Sequence, residues 1–144
     1  MILEQLHEDE ILYECIYVAF AGDKKLIEKY HLVGKNLDEC VKDTYEKILE
    51  TSKEIVLEKY AVIDEEVLLG YLVVSITHKF LYSFGLAIKK REYFSDLFFQ
   101  KISNLLSNDF KCILWTKNSR AIEYLKRNGM RIIEQNEEIT TLCP

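Results

Sequence analysis

Proline is almost missing from this chain. One Pro, at position 144, and five glycines are spread over 144 residues. Neither a flexible linker nor a low-complexity segment fits that composition. Long apolar runs are missing too. The longest, Val67–Ile76, is interrupted by Gly70 and falls well short of the roughly 20 residues a membrane helix needs. The opening MILEQLHEDEI lacks the basic and apolar regions of a secretion signal. The four cysteines, Cys15, Cys40, Cys112 and Cys143, form no C-x-x-C pair, and the three histidines are scattered. No metal site is therefore expected, and the thiols are expected to be reduced in a cytoplasmic compartment. Nor is there a basic excess. Nineteen Lys and Arg stand against 24 Asp and Glu, a net charge of −5, which argues against a nucleic-acid surface.

What the chain does have is an ordinary globular composition, 49% hydrophobic and 30% charged. A chain of this length buries roughly 68–70% of its unfolded surface, enough for one domain over residues 1–144. Met1–Leu6 reads as an edge strand. Ile11, Leu12, Cys15, Ile16, Ala19 and Phe20 then recur at spacings of three and four, which predicts a helix over Glu8–Ala21. A short helix is expected at Asp23–His31. Asn36 with Glu39 three residues on is the start signal of the next helix, which runs to about Thr51.

The pattern then changes to strands at Glu54–Ile63, Val67–Thr77 and Phe80–Ile88, joined by polar turns as an antiparallel meander. Val67–Thr77 shows little alternation and so should be covered on both faces. Helical spacing returns over Arg91–Ser107, with Phe94, Leu97, Phe98, Ile102 and Leu105 inward and Phe99 at the edge of that stripe, a potential subunit contact. A strand at Lys111–Thr116, a helix at Ser119–Asn128 capped by Asn118 and stopped by Gly129, and strands at Met130–Glu134 and Glu138–Leu142 complete the chain. The order β-α-α-β-β-β-α-β-α-β-β predicts an α/β (α+β) fold with a mixed, mostly antiparallel central sheet flanked by helices.

The segment KCILWTKNSRAIEYLKRNGMRIIE, Lys111–Glu134, resembles the GNAT superfamily, the acetyl-CoA-dependent N-acyltransferases. The family pattern there is a strand, then approximately N-x-x-A-x-x-x-Y-x-x-x-G-F, then a strand. Asn118, Ala121 and Gly129 match it, and Met130 replaces the Phe. YAVIDEEVLLGYLVVSI, with Gly70, resembles the family's second and third strands. The likeness covers about the last two-thirds of the chain, and the two N-terminal helices fit by order.

Two departures bear on activity. The family holds the coenzyme's diphosphate on a turn of the form Q/R-x-x-G-x-G/A. The matching stretch here, Ile88–Leu97, contains no glycine. A backbone that must approach a phosphate is crowded by side chains, and a left-handed non-Gly residue costs about 1–2 kcal/mol. The family's general acid is a Tyr in the motif helix, and counting from Asn118 that position is Leu125. Tyr124 lies one residue earlier, about 100° round the helix. The third meander strand lacks the Glu that many members use as base.

Lys89, Lys90 and Arg91 could substitute side-chain cations for the missing loop, and they are the candidate coenzyme residues. Tyr124 and Asn118 are the candidate catalytic groups, with Tyr124 also readable as a core aromatic. His78 and Glu58 are alternative bases or plain surface residues. Ser83 reads as cleft or sheet, Trp115 as pocket wall or core, and Cys112 as a buried thiol. Asn118, Ile122, Tyr124, Leu125, Lys126 and Gly129 are most similar to small GNAT-like proteins of tailed bacteriophages, of the internal virion or morphogenesis type. That likeness implies a protein without acetyl transfer and without a coenzyme, acting on phage structural proteins or on itself in the host cytoplasm or virion. The competing expectation is an active N-acyltransferase using acetyl-CoA.

Overall fold

The computed structural model describes residues 1–22, 28 and 31–144, and for residues 88–95 the backbone alone. The helix expected at Asp23–His31 lies outside the described residues. The elements are β1 (Ile2–Gln5), α1 (Asp9–Ala21), α2 (Leu37–Thr51), β2 (Glu58–Asp64), β3 (Val67–Ser75), β4 (Phe80–Leu86), α3 (Ile88–Leu106), β5 (Lys111–Trp115), α4 (Ser119–Arg127), β6 (Arg131–Gln135) and β7 (Ile139–Cys143). The seven strands form one sheet in the order β1-β2-β3-β4-β5-β7-β6. Every pairing is antiparallel except β4 with β5. No helix among the described residues is long and apolar enough to cross a membrane.

Local chemistry sets the boundaries. The Asn36 side chain accepts a hydrogen bond from the Glu39 N–H at 2.9 Å and starts α2. Thr51–Ile55 continues as hydrogen-bonded turns, with Glu54 and Ile55 N–H donating to the Thr51 carbonyl. β2 therefore begins at Glu58, later than the Glu54 start that the alternation suggests. Glu65 and Glu66 close the β2–β3 hairpin at φ 48° and 67°, the twist a two-residue hairpin loop requires, though without the usual glycine.

Two cores lie on opposite faces of the sheet. On one face α1 and α2 cover β2–β4 through Leu12, Ile16, Val41, Ile48, Ala61, Tyr71 and Val73. On the other, α3 and α4 pack Phe98, Ile102, Leu106, Ile122, Tyr124 and Leu125 against Leu72, Leu81, Cys112, Leu114 and Leu142. β3 is buried from Leu69 to Ser75, as its unalternating sequence predicts. Gly70 is needed where it stands: a Cβ there would overlap the Gly85 carbonyl oxygen of β4.

Two side chains of α3 differ from expectation. Leu97 is 38% exposed, whereas Phe99 is partly buried against Phe110 and Tyr124. The helix is rotated so that the aromatic residue, with more area to bury, takes the inner position.

Candidate functional site

The parallel join between β4 and β5 is short. Only Phe80 with Lys111 and Leu81 with Cys112 pair across it. Beyond them the strands diverge, and a cleft of about 510 Å³ opens between Tyr82–Leu86 of β4 and Ile113–Trp115 of β5. Volumes of this order suit small-molecule sites.

A bulge shapes the β4 wall. Val73 of β3 lies opposite Ser83, and Val74 opposite Leu81, which leaves Tyr82 as the extra residue. An inserted residue re-aims side chains. Tyr82 and Ser83 accordingly both turn towards the α1–α2 face. The Tyr82 hydroxyl lies 2.7 Å from Thr51 Oγ1, and the Ser83 hydroxyl 2.9 Å from that of Tyr71. Phe84 turns the other way, onto Phe98 and Tyr124.

The opposite wall comes from β5 and the start of α4. Asn118 accepts from the Ala121 N–H at 3.4 Å and lines the cleft together with Lys117, Arg120 and Ala121. Tyr124 also reaches the cleft wall while only 6% exposed. Burial, then the nearby Asp96 carboxylate, push its phenol well above the ordinary tyrosine range. Such a phenol keeps its proton firmly, which makes it a weaker acid. Leu125 is fully buried in the core under the sheet.

Among the other candidates, Ser83 is brought to the cleft, and His78 and Glu58 are not among its lining residues. Glu58 instead accepts from the Ile76 N–H at 3.0 Å. Trp115 is not core: it is 61% exposed at the cleft rim, with the Lys47 ammonium 5.2 Å from its ring centroid. Cys112 is fully buried, and desolvation raises its thiol pKa strongly. The backbone places Lys89, Lys90 and Arg91 inside the first turns of α3, which begins at Ile88 right after β4. Their side chains lie outside the described residues. Sequence reasoning did not single out Lys47, Lys117 and Arg120. They come from α2, from the turn after β5 and from α4, and only the fold brings them to one rim.

A mixed sheet of this order, splayed between its fourth and fifth strands and flanked by helices in this sequence, is the GNAT acetyltransferase fold. The chain is similar in structure to the Campylobacter jejuni N-acetyltransferase PseH in complex with acetyl coenzyme A, at 17% identity and TM-score 0.56 over 98% of this chain and 95% of that one. An acetyltransferase from Thermus thermophilus matches at 13% identity and TM-score 0.65, over 98% and 94%. A mutant of the spermidine N-acetyltransferase SpeG from Vibrio cholerae matches at 11% identity and TM-score 0.56, over 99% and 93%. At such identities the likeness carries the fold. No protein-family model and no curated protein sequence matches the chain.

Proposed function

We propose that this chain is a single GNAT-fold domain that has lost acetyl transfer and works through protein contacts, with phage particle assembly as its setting. The observation that carries the reading is Leu125. Counting from Asn118 along the GNAT pattern, the proton donor's position falls on Leu125, which is apolar and fully buried. Loss of a positioned acid typically costs 10²–10⁴ in rate.

Two further features support it. α3 starts at Ile88 immediately after β4, and every residue from Ile88 to Leu97 carries a Cβ. Those residues do not fit the close backbone approach a coenzyme diphosphate requires. The sheet also leaves apolar surface open on its β5–β7–β6 part, at Ile113, Trp115, Ile133 and Ile139, of the kind protein partners cover. The phage setting rests on the pattern of Asn118, Ile122, Tyr124, Leu125, Lys126 and Gly129.

The competing reading is an active N-acyltransferase gripping acetyl-CoA with Lys89, Lys90 and Arg91. The open cleft, with Tyr124 and Asn118 in its wall, favours it. Thermal melts with and without acetyl-CoA separate the two. A ligand at a hundred times its Kd adds about 2.7 kcal/mol, a shift of roughly 10 °C for a domain of this size. The proposal expects no shift and no acetylation of a panel of amines that includes spermidine. A shift of that size with turnover overturns it.

A further inference from the structure

The charged side chains that line the cleft have one sign. Lys47 enters from α2, Lys117 from the turn after β5 and Arg120 from the first turn of α4. Among the described residues lining the cleft there is no Asp, Glu or His, although the chain as a whole has a net charge of −5. Glu137 and Glu138 share a separate, smaller pocket with Trp115 and Lys117. The start of α4 adds to the positive sign. Its first turn holds no acidic residue to offset the positive end of the helix dipole. Asp43, one turn before Lys47 on α2, pairs with Lys35, and Lys47 also acts on its carboxylate.

An apolar platform lies beside these cations. Trp115 presents its ring at the rim, and Phe20 and Ile113 continue the wall. A flat body against an indole, with a charge held by Lys and Arg, is a common way of binding small acids.

We infer that the cleft mouth is a binding site for a small organic anion: a carboxylate or phosphate carried on a flat, apolar body. Lys47, Lys117 and Arg120 meet the charge and Trp115 meets the body. The site is built from α2, β5 and α4, and does not depend on a coenzyme seat at the start of α3. The inference goes beyond the loss of acetyl transfer, and either can fail without the other.

The test uses two dyes with the same rings, anilinonaphthalene sulfonate and the uncharged N-phenylnaphthylamine. Quenching of Trp115, the single tryptophan of the chain, reports binding. The sulfonate is expected to bind at least about tenfold more tightly than the neutral dye, a difference of about 1.4 kcal/mol. Lys47→Gln combined with Arg120→Gln should erase that preference, whereas Arg120→Lys should keep most of it. Lys111→Gln, an exposed lysine that does not line the cleft, should leave it unchanged. A cooperative melt of each variant shows that it is folded. Benzoate and phenyl phosphate then compete for the dye, and the stronger competitor identifies the head group. Equal affinity for the two dyes, an equal loss in Lys111→Gln, or failure of both acids to compete would overturn the inference.

Discussion

The β1–β4 part of the sheet and the β5–β7–β6 part are built to different standards. β3 is enclosed by helices on both faces and is buried without a break from Leu69 to Ser75. β5 alternates between buried Cys112 and Leu114 and exposed Lys111, Ile113 and Trp115, and β6 is exposed throughout. The first region encloses β3, and its exposed hydrophobic residues, Ile2 and Val67, lie at strand ends. The second leaves several on the surface, beside a cleft whose mouth is cationic.

Substitutions in each region put that contrast to the test. The largest effect is expected at Gly70→Ala in the enclosed region. The added Cβ meets backbone, the Gly85 carbonyl, which has nowhere to go. A loss of roughly 3–5 kcal/mol in urea denaturation is expected.

Alkali should come next. Burial, reinforced by Glu14, pushes the Cys15 thiol up to about 11 from 9.0. Between those values the unfolded chain releases a proton that the folded chain retains. Stability therefore falls as pH rises from about 9 to about 11, by roughly 2 kcal/mol from this group. Urea denaturation of the wild type and Cys15→Ala at about pH 8 and about pH 11 isolates it: the variant should lose less.

Leu125→Tyr, which places a tyrosine where the resembled GNAT pattern has one, should cost about 1–3 kcal/mol by overpacking a filled core. It should not confer acetyl transfer, as a coupled thiol-release assay would show.

The two helix caps give the finest comparison. Asn36 holds its N–H at 2.9 Å and Asn118 at 3.4 Å. Asn36→Ala should cost about 1 kcal/mol and Asn118→Ala a few tenths of that, read as midpoints in thermal melts. If Asn118→Ala proved the more damaging, the second region would be as tightly built as the first.

The order of elements was legible because it follows from periodicity and punctuation. Asn36 with Glu39, the unalternating Val67–Thr77 and the Asn118…Gly129 frame each announce one element through local physics. Ends were harder. The sequence predicts the helix after the meander from Arg91, whereas it starts at Ile88, where the cations stand against the helix dipole. Leu97 and Phe99 exchange roles because a small rotation of a helix about its axis is enough to swap neighbouring faces, and tertiary packing sets that rotation. Of the cleft, Tyr124, Ser83 and Trp115 stand out one by one. Trp115 reads as core or pocket wall, and lies at the rim, with Lys47 of α2 over its ring. Lys47 and Arg120 carry no local signal at all. Surface cations on amphipathic helices are common, and their convergence depends on a strand junction that no window of sequence contains.

That junction has a mechanical consequence. Two residue pairs, Phe80 with Lys111 and Leu81 with Cys112, make up the strand pairing between the two plates of the sheet along the β4–β5 line. A lever pivoting at one corner moves most at its far tip. A swing about that corner would change the gap at Leu86 and Trp115 more than the spacing within those two pairs, and the side chains of α3 and α4 packed across the line resist it.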